Sequence, residues 1–351
     1  MSNSSPPTVP PPASESARAS SRLFTFSSAG WVLLLSGFFS LVAAAIVLYP
    51  VFKTGLHQSV GDGHNVNTYG FDLSNLTIPR SELVASGWPK DMIHAIPETL
   101  VETDSPAEIE MIHRNEHLNF IVPDDRVVGL TINGETRAYP VHILNVHEII
   151  NDTLGGVPIA VTWAPLCDSV VVFDRRVDGE QAPAVEFGVS GLLVDSDLVA
   201  FDRRPHGKGE SLWPQLMFKA VSGPLAGKSM KLIPYELVTW KAWTAAHPDT
   251  RVVIGLRTHK TEYTYETYAS YLANDELKFP VAREWPDPHV ARKTRIVVRG
   301  TPGGRWVAAR DVPGATTAAE TKPGEFTLHS FLFAWYAMHP TDTDWAAFKT
   351  Q

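Results

Sequence analysis

The chain has 351 residues, of which 44% are hydrophobic and 19% charged, so it is long enough for one large folded domain or two ordinary ones. Its net charge of −8 argues against nucleic acid as a partner, because phosphate binding needs a concentrated basic surface. The single cysteine excludes an internal disulfide and any zinc site built from Cys-x-x-Cys pairs.

The N-terminal region predicts a tail followed by a membrane anchor. Residues 1–28 are rich in Ser, Pro and Ala and are expected to be disordered. Residues 29–53 predict a single transmembrane helix, because their dense apolar part, 30–52, would span about 34 Å as a helix and a bilayer core is about 30 Å thick. Trp31 and Tyr49 lie near the two ends, where aromatic rings favour the membrane interface. A cleaved signal peptide, with Ala43–Ala45 as its small-residue site, is the alternative.

The charges around this span favour one orientation. Arg18 and Arg22 precede the span and Lys53 follows it, which favours a cytoplasmic N-terminus. We therefore expect residues 54–351 to lie outside the cytoplasm.

The remaining chain predicts an α+β fold, a strand-rich globular domain with short helices. Residues 54–125 are rich in Asp, Asn and Pro and indicate an irregular wrapping segment. Residues 126–260 form the predicted core domain, which starts with a hairpin around an Asn133-Gly134 turn. Residues 143–151 predict a short helix. Further strands are predicted at 159–163, 170–173, 185–189 and 198–201.

A short sequence echo links the core domain to the C-terminal part. The residues AWTAAHP at 242–248 recur as AWYAMHP at 334–340, and each predicts a short helix that ends before a proline. Thr239 and Ser330 are the expected N-caps of these two helices. Residues 261–351 are therefore either the C-terminal part of the same domain or a second half-domain.

The stretch Ala138–Ser169 holds the residues best suited to chemistry. It contains Cys167, after a predicted buried strand, and a His-Glu pair at His147 and Glu148. A nearby histidine lowers the pKa of a thiol, and copper(I) or zinc accepts the same pair as ligands. An inert buried thiol is the alternative reading of Cys167. Further metal donors would have to come from His142, Asp168, Asp195 or Asp197.

A second group of polar residues lies in the stretch 187–204. Asp195 and Asp197 are spaced as paired carboxylates or a hard-cation site, or as residues that hydrogen-bond their own turn. The sequence contains no GxSxG, HExxH, Walker A or Rossmann glycine motif.

Several motifs resemble the bacterial family called domain of unknown function 3179, over about residues 65–280. These motifs are FDLSNLTIPR at 71–80, AYPVHILNVHEIINDTLGG at 138–156, FGVSGLLVDSDL at 187–198, SLWPQL at 211–216, PLAG at 224–227 and the Trp and AHPDT residues within 240–250. The resemblance implies an exported or membrane-attached protein whose activity is not settled. It also implies a Cys-Pro-Leu-Cys motif, of which this chain keeps Cys167 but has Ala164 in the first position. The family's usual Trp before the histidine is Val146 here.

Two functions follow from these observations as expectations. The first is an accessory or structural subunit of a larger membrane complex, which we expect not to be an enzyme. Its thiol site is degenerate, because dithiol chemistry needs both sulfurs. The second is an exported protein that binds copper or zinc, or performs single-thiol redox chemistry, through Cys167 and His147. In both, residues 29–53 contact lipid of the bacterial cytoplasmic membrane, and the C-terminal domain faces the periplasm.

Overall fold

The computed structural model describes residues 35–42, 60–116, 120–259, 262–264, 267–311 and 324–349. By its contacts the chain divides into two compact units, residues 1–58 and 59–351. In the first unit, residues 35–42 are helical. The rest of the predicted anchor and the whole predicted tail lie outside the described residues. Among the residues that the structure describes, no helix has both the length and the apolar character needed to cross a lipid bilayer.

The second unit is dominated by strands, which confirms the predicted strand-rich α+β class. Within the described residues the strands are β1 Leu83–Ala85, β2 Thr103–Asp104, β3 Arg126–Ile132, β4 Glu135–Pro140, β5 Ile149–Leu154, β6 Val157–Ala164, β7 Ser169–Asp174, β8 Phe187–Val194, β9 Asp197–Asp202, β10 Leu212–Pro214, β11 Glu236–Thr239, β12 Arg251–Val253, β13 Arg295–Gly300, β14 Trp306–Arg310, β15 Phe326–Phe331 and β16 Thr343–Asp344.

The helices are short. The α-helices of this unit are α1 Pro106–Glu116, α2 Val141–His147, α3 Trp240–Ala246, α4 Ala269–Leu272, α5 Leu332–Met338 and α6 Ala346–Lys349. Single 3₁₀ turns lie at Val66–Tyr69, Arg80–Glu82, Glu98–Leu100, Pro205–Gly207, Gln215–Met217, Arg257–His259 and Glu262–Thr264. The segment predicted to be irregular, 54–125, thus contributes β1, β2 and α1 to the unit.

In the described residues the strands form four sheets, with orders β1-β8-β9-β10, β11-β3-β4-β12-β2, β15-β13-β14-β16 and β5-β6-β7. The predicted hairpin is present as β3–β4, and both Asn133 and Gly134 have the positive φ that a tight two-residue turn requires. The largest apolar core includes Val128, Trp163, Phe187 and Trp335, so it joins residues of all four sheets or of the helices packed on them.

Two of the sheets repeat one topology, which gives the sequence echo a structural meaning. In each, a hairpin (β3–β4 or β13–β14) is followed later by a strand, a helix and a last strand. The strand before the helix (β11 or β15) pairs antiparallel with the first hairpin strand, and the last strand (β12 or β16) pairs parallel with the second. The helix tryptophan makes the same bond in both copies, since Nε1–H of Trp243 donates to Thr250 and that of Trp335 to Thr343, each at 2.9 Å.

Two local predictions need correction. The helix predicted over 143–151 covers Val141–His147 instead, because Glu148 takes a left-handed conformation (φ 55°) and the residues after it enter β5. The β-branched Ile149 and Ile150 suit that strand, where they pair with β6. Thr239 caps α3 as predicted, whereas α5 begins after Phe331 and has no side-chain cap from Ser330.

Candidate functional site

A cleft of about 460 Å³ opens beside the C-terminal end of α2. Most of its wall is apolar and comes from the β8–β9 hairpin, from the loop that follows β1 and from the segment around residue 279. Among the apolar lining residues are Ile93, Val146, Val189, Leu192, Leu198 and Phe279. The polar side chains are fewer: Ser86, Asn145, Glu148 and Tyr268 are at least partly buried, while Glu262, Thr267 and Lys278 are exposed. A largely apolar cleft with a few polar groups is the usual form of a small-molecule site.

The end of α2 places Glu148 in this cleft. The left-handed turn at Glu148 closes the helix, with the Glu148 N–H donating to Leu144 O at 2.7 Å. The Glu148 carbonyl in turn accepts a bond from the Trp163 N–H at 2.8 Å, which ties the helix end to β6. Because its backbone is held at both polar groups, the Cα–Cβ bond of Glu148 has a fixed direction.

The loop after β1, Ser86–Ile93, forms the rim of the cleft. It is held on β8 by backbone bonds from Ser86 N–H to Gly191 O and from Asp91 N–H to Val189 O, both 2.9 Å. Gly191 has a positive φ (77°), and a Cβ there would lie 2.5 Å from the Trp88 carbonyl oxygen. Any side chain at position 191 would therefore push the rim loop away from the sheet.

Glu148 carries a buried carboxyl group that has no polar partner among the described residues. It is 9% exposed, and its carboxyl group makes no hydrogen bond or ion pair with any residue that the structure describes. Burial raises its pKa to about 8, so the group is mainly a neutral acid at pH 7. Burial and the neighbouring Glu148 also raise the pKa of the Tyr268 hydroxyl. A neutral carboxylic acid donates a hydrogen bond, which an ionised carboxylate cannot do.

Asn145 adds a second donor to the same wall. Its Oδ1 accepts a bond from Trp163 Nε1–H at 2.8 Å, which leaves the Nδ2 hydrogens for the cleft. The apolar wall therefore carries the neutral donors of Glu148 and Asn145 together with the Tyr268 hydroxyl, an arrangement that suits a molecule with a polar acceptor group.

Cys167 does not line this cleft. Its side chain is fully buried in the main core, where Sγ lies 3.9 Å from the carbonyl oxygen of Asp195. Burial raises the pKa of the thiol well above its ordinary value, and the carboxyl groups of Asp197, Asp195 and Asp168 raise it further. These surroundings disfavour a thiolate.

His147 is held by two hydrogen bonds on the other side of α2. Its Nδ1–H donates to the carbonyl oxygen of His94 at 2.7 Å, so Nε2 is the acceptor for the Tyr263 hydroxyl at 2.8 Å. The Tyr263 oxygen accepts a further bond from the Leu256 N–H at 2.7 Å. Burial lowers the pKa of His147 to about 4, so the ring is neutral and both nitrogens are occupied.

Asp168 follows Cys167 and is part of an ion-pair network. Arg126 binds both of its carboxylate oxygens, at 2.6 and 3.1 Å, and Arg295 Nε donates at 2.6 Å. Burial alone would raise the pKa of Asp168, but the two arginines outweigh it and lower the pKa.

Within the described residues, the other predicted metal donors make no hydrogen bond or ion pair with His147. Asp195 accepts a bond from the Ala282 N–H, and Asp197 Oδ2 accepts one from the Leu216 N–H at 2.9 Å. Burial raises the pKa of both carboxyl groups. His142 is buried beside Asp125, and burial lowers its pKa to about 4.

The structure thus brings Cys167 close to Asp195 but joins neither of them to His147. Among the described residues, no hydrogen bond, ion pair or ring contact links Cys167 with His147. In the same part of the chain, no three His, Cys, Asp or Glu side chains are grouped so as to hold a metal ion. The predicted pairing of the two residues is therefore not a contact in the fold.

Sequence reasoning identified the His-Glu pair but not the burial of Glu148. The signal was available, since Glu148 is the only acidic residue of the predicted helix 143–151 and is followed by two isoleucines. Its role in the cleft depends on segments far away in the sequence, such as 86–93 and 267–279, and only the fold brings these together.

The structure is that of a strand-rich α+β domain with a buried carboxyl group in a largely apolar cleft. Residues 93–328 match the model of a family described as a protein of unknown function, DUF3179. The match covers more than half of the chain, so this protein belongs to that family, as the sequence motifs predict. It begins later than the predicted 65–280 and reaches into β15. No curated protein and no solved structure matches the chain.

Proposed function

We propose that this domain binds a small, largely apolar molecule in the cleft at Glu148. The observation that carries the proposal is the buried carboxyl group of Glu148, which has no partner in the described part of the chain and lies in a cleft that is open to solvent. A buried polar group without a partner costs about 1–3 kcal/mol, and a ligand that supplies the missing partner recovers that cost.

The chemistry of the wall specifies the class of ligand. A volume of about 460 Å³ suits a molecule at the smaller end of the range that protein pockets accept. The apolar lining favours a hydrophobic body, and the neutral acid of Glu148 favours a carbonyl, ether or hydroxyl oxygen as its acceptor. An ionised ligand is disfavoured in the interior, because a charge there would lose its hydration.

The surroundings of Cys167 support a binding function over a thiol-based one. A redox or metal-binding thiol needs access and a cation that stabilises the thiolate, whereas Cys167 is fully buried beside carboxyl groups. His147 would have to give up two hydrogen bonds in order to bind a metal. Single-thiol redox or copper or zinc binding is thus the less favoured alternative.

The proposed cellular setting follows the sequence. Residues 29–53 anchor the chain in the bacterial cytoplasmic membrane, and the domain acts on the outer side as a binding accessory subunit of a membrane complex. The charges around the apolar stretch support this setting, and so does the expectation, from the resemblance of the motifs, of an exported or membrane-attached protein.

The test uses Prodan, a neutral naphthyl ketone whose emission shifts to the blue in apolar surroundings. The full chain is titrated with Prodan in a mild detergent. The part of the blue-shifted emission that is lost when a cleft residue is substituted measures binding in the cleft. Val146→Phe fills the cleft and should abolish that part, while Val307→Phe makes the same change at a position that is 47% exposed and should not alter it.

Two variants of Glu148 test how it binds. Glu148→Gln keeps a neutral donor and should bind Prodan as the wild type does at pH 7. Glu148→Met keeps the length but removes the donor, and binding should weaken about fivefold, the value of one hydrogen bond of about 1 kcal/mol. If all variants give the wild-type signal, the cleft is not a binding site and the proposal is wrong.

A further inference from the structure

We infer that the cleft opens onto the membrane surface and that its ligand is a lipophilic molecule taken from the bilayer. The inference rests on the proposed ligand cleft and on the predicted anchor at 29–53. It is carried by two exposed apolar side chains of the rim loop, Trp88 and Met92, each 52% exposed, and by Val60, 44% exposed, whose backbone bonds to that loop.

The point at which the chain enters the domain lies on this rim. Val60 is the first described residue of the second unit, and its carbonyl oxygen accepts a bond from the Lys90 N–H at 2.8 Å. The Gly63 carbonyl oxygen accepts one from the Gly87 N–H at 3.1 Å. Chain entry and rim loop are therefore one connected structure.

The length of chain before Val60 limits how far the rim can be from the bilayer. The predicted anchor ends at Lys53, seven residues before Val60, and seven extended residues reach at most about 25 Å. At most about 25 Å of chain therefore separates this end of the rim from the predicted anchor.

The chemistry of the rim fits a lipid surface. Trp88 has the amphipathic ring that favours the interface between lipid and water, and Met92 adds a flexible apolar side chain. The charged side chains of the same loop are paired within the protein, Lys90 with Glu210 and Asp91 with Arg203. Their pairing leaves the apolar side chains as the exposed groups of the loop.

The rim also leads directly into the cleft. Trp88 lines both, and Ile93, next to Met92, belongs to the apolar wall. Contact of this rim with the bilayer would give an apolar ligand a path into the cleft that avoids bulk water. Such a path suits a molecule that is stored in lipid rather than dissolved in water.

The test places a nitroxide spin label at Met92→Cys in the full chain, reconstituted in vesicles of phosphatidylethanolamine and phosphatidylglycerol. Collision rates of the label with oxygen, which concentrates in lipid, and with a water-soluble nickel chelate are then compared. Val307→Cys is the matched control, because that side chain has similar exposure on β14. Val60→Cys gives a second rim position if the first variant does not fold. The native Cys167 is fully buried, and labelling of the wild type sets the background.

We expect the ratio of oxygen to nickel collisions at the rim to exceed that at Val307 several-fold. Equal ratios at the two positions would overturn the inference. The Prodan titration separates this failure from failure of the proposed function. A cleft-dependent Prodan signal with a water-exposed rim rejects only the membrane route, whereas no cleft-dependent signal rejects the ligand site itself.

Discussion

Cys167 and Glu148 are both buried ionisable groups whose pKa burial raises, yet their surroundings differ. Cys167 is 0% exposed in the main core, and its sulfur contacts a backbone carbonyl near three carboxyl groups. Glu148 is 9% exposed, its carboxyl group makes no polar contact with the described residues, and it lines a cleft of about 460 Å³. The first group is enclosed, whereas a solute can reach the second.

This difference shows that a reactive residue type does not by itself identify a site. The thiol is the more reactive group in isolation, but neither a cation nor an open path is placed beside it. The carboxyl group is ordinary in isolation, and its position at the end of α2 makes it a neutral donor. The predictions below test whether the two regions differ in this way.

The largest expected effect concerns the pH dependence that Glu148 imposes on stability. Burial raises its pKa from 4.5 to about 8, so between these values the folded state binds more protons than the unfolded state. The free energy of unfolding should therefore fall as pH rises through this window, by up to about 5 kcal/mol, and level off on both sides. Urea unfolding of wild type and Glu148→Gln across pH 4–9 measures it. Parallel curves for the two proteins would show that Glu148 is not buried as described.

On the Cys167 side, the largest effect should come from Asp168→Asn. The substitution leaves Arg126 and Arg295 without their shared carboxylate and should cost about 3–5 kcal/mol, as expected when one partner of a buried ion pair is removed. Urea unfolding at pH 7 measures the loss. Asp178→Asn is the control, since its pair with Arg204 is partly exposed and should contribute at most about 1 kcal/mol. Equal losses would mean that the network does not stabilise the turn at Cys167.

Tyr263→Phe should have an intermediate effect. It removes the donor to His147 Nε2 and the acceptor for the Leu256 N–H, both in a buried site, and should cost about 1–3 kcal/mol. Thermal unfolding measures it. Tyr336→Phe is the comparison, because the Tyr336 hydroxyl makes no hydrogen bond within the described chain. If Tyr263→Phe leaves the thermal stability unchanged, His147 is not held by the Tyr263 hydroxyl.

Cys167→Ala should have the smallest effect, about 1–2 kcal/mol for the loss of one packed sulfur atom. It should leave the Prodan affinity unchanged, because Cys167 does not line the cleft. The native thiol should also resist N-ethylmaleimide until the protein is unfolded. Rapid labelling of the native protein would show that Cys167 is accessible and reactive, and would favour a thiol-based function.

Local patterns predicted much of the fold. The Asn133-Gly134 hairpin, the strands around 159–163 and 198–201 and the helices at the two AW motifs need only turn chemistry, periodicity and capping. The sequence repeat at the two AW motifs predicted only two similar helices, whereas the structure shows that the sheets around them also share one topology. The cleft could not be predicted, because it joins segments that are far apart in sequence. The boundary at Glu148 was missed because a left-handed glutamate has no strong sequence signal.

The central claim, a neutral carboxyl group that solutes can reach, is tested most directly with dicyclohexylcarbodiimide. This reagent adds to protonated carboxylic acids in apolar surroundings, and peptide mass spectrometry locates the adduct. For the full chain at pH 7, our account predicts modification at Glu148, less of it above pH 8, protection by Prodan and none in Glu148→Gln. An unmodified Glu148, with adducts only on exposed acids such as Glu262, would contradict it.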